Sequence, residues 1–356
     1  MTKRKQTPAN YIHWLGGKGT LVKRILKNVG KPTPGDLFLD LCAGAGSVSL
    51  AAAAAGFNVY ACDVLSSAIC SINGVSGVSP AEKKRWQSRI DTMNRLKPTR
   101  GYLTKNFSPD GDRWFLTQWN AGRLDAVRAY IEGLRSRGDI GTKQYEYLRR
   151  VALSGLVSVQ NTCGHQISAI KSRFKETASK DVYFRSPSGP NRSDPDSFFN
   201  GNVTTYNTDL ITFLEQLRSN GTIAQVAYLD PPYTERQYED YNNLSEIFVR
   251  NDRPKVHGVH GQRVKKIVDR SPFCSKRECE PYFERVVSLT PADRLFVSYS
   301  TDGIMSKKTI TDIMSQFGCV RQMYSIPYSK HIENAGQKKK DDGSLCELLY
   351  ELRRST

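Results

Sequence analysis

Asp230-Pro231-Pro232-Tyr233 follows directly on the apolar run Ala224–Leu229, and this tetrapeptide is the strongest chemical signal in the chain. Two consecutive prolines lack backbone N–H groups and cannot continue a central strand. They fix a rigid extended turn at the carboxyl end of a sheet, the edge at which open α/β folds bind ligands. The turn presents a carboxylate, a backbone carbonyl and an aromatic face in one wall. That set suits an exocyclic amino group such as that of adenine, a poor nucleophile because its lone pair is delocalised into the ring. An Asp230 oxygen and the Pro231 carbonyl can accept the two amino hydrogens, which aims the nitrogen's electron density at an electrophile, while Tyr233 stacks on the base. The competing reading is a structural turn ahead of a helix.

A second constellation lies upstream. Leu37–Leu41 reads as a buried strand, runs into Cys42-Ala43-Gly44-Ala45-Gly46-Ser47, and is followed by the helix-forming stretch Val48–Ala55 and a short strand, Asn58–Cys62, that closes on Asp63. Strand, glycine turn, helix, strand and terminal acid make a βαβ unit. The glycines permit a tight turn and close approach of backbone to ligand, the helix N-terminus offers free N–H groups, and an acid about 20 residues on can accept from ribose hydroxyls. The third glycine of the dinucleotide fingerprint is absent, since Leu50 or Ala51 falls near its position. The unit therefore points to a nucleoside-containing cofactor, with NAD disfavoured, or to a purely structural turn.

The elements around these motifs have an α/β pattern. A helix is expected over Leu21–Val29, with Leu21, Ile25, Leu26 and Val29 on one face. After residue 200 the pattern resumes with strands at Val203–Tyr206, Ala224–Leu229, Leu295–Tyr299, Val320–Ile326 and Cys346–Leu352. Helices are expected at Ile211–Leu217 and Ile310–Phe317, and a solvated hairpin tip at Lys338–Gly343. Residues 73–200 differ: they are helix-rich, with Trp86, Trp114 and Trp119 among many arginines, and Ser186–Phe199 reads as a surface connection. That segment holds 22 Lys/Arg against 12 Asp/Glu, so it supplies +10 of a formal net charge of +17. It reads as an insertion with a polyanion-binding surface, or as an ordinary solvated helical subdomain. Residues 234–290 are again polar and basic, with ten Lys/Arg against five Asp/Glu between Arg250 and Arg285. The expected organisation is a catalytic α/β domain formed by residues 1–72 and 201–356, interrupted by an inserted target-recognition domain over 73–200.

Composition excludes several classes. A 356-residue chain that is 38% hydrophobic can fill a core, and no stretch is apolar enough to span a bilayer. Met1–Asn10 is basic and polar without an apolar centre, so no secretory signal is expected and the compartment is read as cytoplasmic. The eight cysteines form no Cys-x-x-Cys pair, and with only five histidines the chain reads as holding free thiols rather than disulfides or a metal.

On these motifs the chain resembles the Dam-like DNA adenine-N6 methyltransferases, also called the D12 class, in the α arrangement. Tyr11-Ile12-His13-Trp14-Leu15-Gly16-Gly17-Lys18 looks like the family's N-terminal cofactor motif. Leu39-Asp40-Leu41-Cys42-Ala43-Gly44-Ala45-Gly46 is similar to its glycine motif, where Phe is common at the position of Cys42. Asp63 and Asp209 match the family's cofactor acids, and Asp230–Tyr233 matches the catalytic tetrapeptide. Two stretches are similar to the FokI-type modification enzymes: Gln160-Asn161-Thr162-Cys163-Gly164-His165, and Arg236-Gln237-Tyr238 beyond the tetrapeptide, although that branch usually has Asn where Thr234 stands.

The resemblance implies a Rossmann-like sheet and S-adenosylmethionine as cofactor, with no metal. Trp14 and Lys18 would line the methionine end. Asp40, Ala43, Gly44 and Gly46 would shape the turn beneath the cofactor, Asp63 would hold the ribose and Asp209 the adenine amino group. The partner would be double-stranded DNA, with the target adenine flipped out of the helix. Asn161, His165, Lys171, Arg173, Arg236, Gln237 and Tyr238 would take part in DNA contact. A bacterial or phage origin is implied, together with a separately acting restriction endonuclease or a solitary role. The alternatives are an RNA adenine methyltransferase and an inactive DNA-binding module. A cytosine-C5 enzyme would need a Pro-Cys nucleophile that the chain lacks, and cytosine-N4 enzymes commonly carry Ser in place of Asp230.

Overall fold

Phe38 and Leu39 pack into different cores on opposite faces of one sheet, as the period of two in a strand requires. The protein is described here from a computed structural model over residues 17–162, 166–168, 173–187, 201–264, 270–327 and 345–354. Its helices in chain order are α1 (Val22–Val29), α2 (Ser47–Ala54), α3 (Ser66–Asn73), α4 (Pro80–Arg95), α5 (Tyr102–Phe107), α6 (Gln118–Ser136), α7 (Thr142–Ser158), α8 (Glu176–Ser179), α9 (Leu210–Ser219), α10 (Tyr238–Arg250), α11 (Cys279–Leu289) and α12 (Lys307–Ser315). The strands are β1 (Leu37–Asp40), β2 (Asn58–Cys62), β3 (Val203–Tyr206), β4 (Ala224–Leu229), β5 (Val256–His257), β6 (Gln262–Arg263), β7 (Ala292–Ser300), β8 (Cys319–Pro327) and β9 (Cys346–Arg353). The strands expected from the sequence are present. The largest departure is β7, which starts at Ala292 rather than Leu295.

Among the described residues, seven strands form one sheet in the order β3-β2-β1-β4-β7-β9-β8. The pairs from β3 to β7 are parallel, and β9 lies antiparallel between β7 and β8. From β1 the chain steps to β2 on one side, and it later returns to place β4 on the other. The carboxyl ends of β1 and β4 therefore diverge into a crevice, the position where open α/β sheets bind ligands. Asp40, the last residue of β1, lies in register with Tyr228 of β4, two residues before Asp230. Register thus brings two acids that are distant in sequence to the same crevice.

One face of the sheet buries Phe38, Val59, Val226 and Phe296 under α1 and α2. The other buries Leu39, Leu229, Leu295 and Val297 under α9, α11 and α12. A separate helical body is built by α4 to α7 around Trp86, Ile90, Phe107, Phe115, Leu124 and Val151. Its first helix starts at a capping box, in which the Ser79 hydroxyl accepts from the Glu82 N–H and the Glu82 carboxylate accepts from the Ser79 N–H.

Two findings correct the sequence reading. Residues 234–290, expected to be a polar, basic, DNA-contacting segment, contain α10 and α11. Leu244, Ile247, Phe248 and Val249 of α10 complete the core of the helical body. Part of the tryptophan- and arginine-rich pattern of residues 73–200 is also interior and not surface, although Trp119 is exposed. Trp86, Arg123, Arg128 and Arg150 are buried. Their guanidinium groups donate to backbone carbonyls, Arg123 to Asn94 (2.9 Å) and Arg128 to Val249 (3.0 Å) among them. Long arginine stems fill an apolar body while their heads satisfy helix ends. No helix among the described residues is long and apolar enough to cross a membrane.

Candidate active site

Three backbone hydrogen bonds hold the glycine turn. Leu41 N–H donates to the Tyr228 carbonyl (2.9 Å), Ala43 N–H to Cys62 (3.0 Å) and Gly46 N–H to Ala43 (2.9 Å). Gly44 (φ 52°) and Gly46 (φ 83°) take left-handed conformations that side chains resist. A Cβ on Gly46 would also meet Ile72 Cγ1 at 2.4 Å, so this glycine lets the start of α2 pack on α3. Gly46→Ala is expected to destabilise the fold by about 1–3 kcal/mol and to weaken cofactor binding with it. Thermal unfolding and a cofactor titration check both, and an unchanged melting temperature would refute the packing argument.

Asp63, Asp209 and Asp40 are among the acids that line the crevice around this turn. Asp63, just past β2, accepts the Gly44 N–H (2.8 Å) on one oxygen and the Leu65 N–H (2.9 Å) on the other. Burial pushes its carboxyl up to about 6 against the pull of those two bonds. Asp209 caps α9 by accepting from Thr212 N–H (3.0 Å). Asp40 is buried and accepts the Ser49 hydroxyl (2.5 Å) on one oxygen. Its other oxygen has no hydrogen-bond partner among the described residues. Burial raises the Asp40 carboxyl to about 7, with the Ser49 bond opposing.

Asp230 leaves β4 at the opposite wall. Lys18 Nζ lies 2.8 Å from its carboxylate and 3.2 Å from that of Glu347 on β9, and the lysine is only 6% exposed. Burial lifts the Asp230 carboxyl to about 6; the Lys18 ammonium pulls it down and Glu347 pushes it further up. For Lys18, burial alone would lower the ammonium's value, but the flanking Asp230 and Glu347 carboxylates hold it above the ordinary lysine range. Lys18 was expected to line the methionine end of a cofactor site. The structure places it against the tetrapeptide's acid, and the cavity reaches both.

Beyond Pro231 and Pro232, the Tyr233 ring stands edge-on to Tyr299 at 6.1 Å, and its carbonyl accepts the Ile304 N–H (3.1 Å). The aromatic wall is therefore fixed from behind. Thr234 Oγ1 is buried without a hydrogen-bond partner among the described residues.

The residues expected at the DNA divide by environment. Asn161 is fully buried. Its amide donates to the Trp114 and Arg173 carbonyls (2.9 Å each) and accepts from the Lys175 N–H (2.9 Å), which makes it an organiser of its loop. Gln237 accepts from the Ser271 N–H (2.7 Å) and lines the cavity beside Tyr238. Arg173 and Arg236 are exposed. Trp14, His165 and Lys171 lie outside the described residues, as do the Lys338–Gly343 tip and most of Ser186–Phe199.

The cavity measures about 350 Å³ and runs from Gly17 and Lys18 across the glycine turn to Asp209, Phe273 and Tyr282. That falls within the range of roughly 300–1,000 Å³ usual for small-molecule sites. Sequence reasoning missed Glu347 and the edge-to-face pair Phe273–Tyr282 (4.8 Å) at the Asp209 end, while Arg250, Arg263 and Arg270 at the cavity come from the stretch it had marked as basic. An acid at the start of the apolar strand Cys346–Arg353 was the available signal for Glu347.

Similarity to known proteins agrees with this geometry. The family model described as D12 class N6 adenine-specific DNA methyltransferase matches residues 14–313. Type II methyltransferase M.CviAII of Paramecium bursaria Chlorella virus 1 is 30% identical over 318 residues, covering 87% of this chain and 89% of the viral protein. Modification methylase StsI of Streptococcus sanguinis is 26% identical over 96% of this chain, which spans 52% of that longer protein. Type II methyltransferase M.FokI of Planomicrobium okeanokoites is 24% identical over 71% of this chain and 37% of its own length. With the family match reaching from the N-terminal motif past the tetrapeptide, the chain belongs to the D12 class N6 adenine-specific DNA methyltransferases.

Proposed function

We propose that this chain binds S-adenosylmethionine in the crevice and methylates N6 of an adenine flipped out of duplex DNA, as a modification methylase whose cognate endonuclease acts separately. The observation that carries the reading is the placement of Asp230 in the same cavity as the glycine turn, Asp63 and Asp209. The donor set suits the cofactor: Asp63 at the tip of β2 for ribose hydroxyls, Asp209 with Phe273 and Tyr282 for an adenine ring, and buried Asp40 with an unpartnered oxygen beneath the turn. When bound, the cofactor supplies an electrophilic methyl group.

The chain's own part is positioning and hydrogen bonding. Asp230 and the Pro231 carbonyl accept the two hydrogens of the adenine amino group and orient its lone pair. Pro232 holds the turn rigid and Tyr233 covers the base. Lys18 keeps Asp230 ionised in a site whose burial favours the neutral acid. The exposed rim arginines Arg250 and Arg270, with Arg173 and Arg236, meet phosphates, and Gln237 and Tyr238 stand where the flipped base enters. The work is done on DNA in the cytoplasm of a bacterium or of a virus-infected host.

The test is transfer of labelled methyl groups from S-adenosylmethionine to unmethylated genomic DNA, with single-molecule sequencing of the product. N6-methyladenine confined to one short motif is the expected result. Label in RNA but not in DNA, or in neither, would overturn the reading.

A further inference from the structure

Glu246 of α10 lines the crevice, and both of its carboxylate oxygens are engaged. It is 1% exposed. One oxygen accepts the Ser66 N–H (2.9 Å), and the other accepts the Ser67 N–H (2.8 Å) and the Ser67 hydroxyl (2.8 Å). Arg250 Nε lies 3.1 Å from the first oxygen. These contacts cap α3, whose own N-cap residue, Leu65, supplies no side-chain bond. Two residues before Leu65 stands Asp63, which itself accepts the Leu65 N–H. The segment from Asp63 to Ser67 is thus fixed at one end by its own acid and at the other by an acid from a distant helix.

The helix that delivers Glu246 is anchored in the recognition half of the molecule. Its residues Leu244, Ile247, Phe248 and Val249 fill the core of the helical body. Arg128 (3.0 Å) and Arg149 (2.8 Å) both donate to the Val249 carbonyl. Asn243 Nδ2 donates to Gly261 (2.8 Å) and so ties α10 to the basic hairpin β5–β6. At its other end α10 begins five residues after Tyr233 of the tetrapeptide. A displacement of the helical body on DNA would travel along a rigid helix to one carboxylate, and from there to the loop that carries Asp63.

We infer that Glu246 is a positioning residue that couples DNA engagement to cofactor affinity, by holding the Asp63–Ser67 segment in the conformation that α10 dictates. The inference rests on the assignment of the crevice to S-adenosylmethionine and of the helical body to DNA. It predicts reciprocal coupling: DNA should tighten cofactor binding, by a factor in the range of roughly 5–150 typical of linked sites.

The experiment titrates labelled S-adenosylmethionine into the full chain, with and without a cognate duplex, for the wild type, Glu246→Gln and Ser67→Ala. Glutamine retains one acceptor and turns its NH2 toward an N–H donor, so Glu246→Gln should bring the ratio of the two affinities to about one while duplex affinity stays within about threefold. Ser67→Ala removes only the hydroxyl bond and should reduce the ratio partway, which keeps the test decisive if Glu246→Gln fails to fold. Glu246→Asp, with its acid drawn back, should fall between Gln and wild type. A wild-type ratio of one, or a ratio unchanged in both Glu246→Gln and Ser67→Ala, would overturn the coupling. If the wild type methylates DNA normally in those same samples, only this inference falls. Absence of cofactor binding by the wild type would overturn it together with the proposed function.

Discussion

Asp230→Ala is expected to lower single-turnover methyl transfer by at least about 10³-fold, beyond the 10²–10³ typical of losing one preorganised hydrogen-bond partner, because the same group also orients the nucleophile. Affinity for S-adenosylmethionine and for duplex DNA should stay within about threefold. The selectivity of the loss follows from the geometry. Asp230 sits 16% exposed at the wall of the crevice, whereas the exposed arginines that would meet phosphates lie on other elements. Removing the carboxylate does not strand a buried cation, since Glu347 remains 3.2 Å from Lys18. The variant should therefore fold, bind both substrates and stall at the chemical step. Rapid-quench measurement of transfer alongside equilibrium binding checks this. A variant that retains a tenth of wild-type transfer would remove Asp230 from the chemistry, and one that loses DNA binding equally would make its role structural.

How much of this was legible in sequence varied with the range of the interactions. The βαβ unit was readable because its signals are local: three apolar residues in Leu37–Leu39, left-handed positions filled by Gly44 and Gly46, and an acid directly at the end of β2. The tetrapeptide was readable because two prolines can occupy few places in a sheet. Helix α10 was not. Eight of its residues are buried, among them Asn242, Asn243, Ser245 and Glu246, and the polar groups of Asn243 and Glu246 meet partners on the hairpin and on α3 that are distant in sequence. Read alone they look like a solvated face. The same reason misled the reading of Arg123, Arg128 and Arg150, which look like a DNA-binding surface until the carbonyls they serve are in place. Asn161 stood out in its motif, but its three bonds to Trp114, Arg173 and Lys175 place it behind the surface. Glu347 reaches Lys18 only because β9 enters the sheet antiparallel beside β7, pairing Glu347 with Ser300. No local pattern encodes that meeting.

Lys18→Met should have the second large effect, and its signature is in the pH profile. The proposed chemistry requires Asp230 as a carboxylate, and its carboxyl is raised to about 6 with the Lys18 ammonium as the group that restrains it. In the wild type the turnover rate at saturating cofactor and DNA should be flat above that value and fall tenfold per pH unit below it. Without the ammonium, burial and the neighbouring Glu347 both push the carboxyl higher. The ionised fraction at a fixed pH then drops, so the acid limb moves to higher pH. At pH 7 the variant should lose at least about tenfold in turnover and recover part of it at pH 9. Saturation with cofactor matters, because Asp63 and Asp40 also titrate near neutrality and would act through cofactor affinity. Removing one partner of a buried pair can cost about 3–5 kcal/mol of stability, so unfolding must be followed in parallel. Lys18→Arg keeps the positive charge and should leave the limb near its wild-type position. Glu347→Gln provides the opposite sign: it removes a charge that raises the Asp230 carboxyl, so the limb should move to lower pH while the Lys18–Asp230 contact persists. If Lys18→Met and Glu347→Gln shift the limb in the same direction, or neither moves it, Asp230 is not the group whose ionisation the reaction needs.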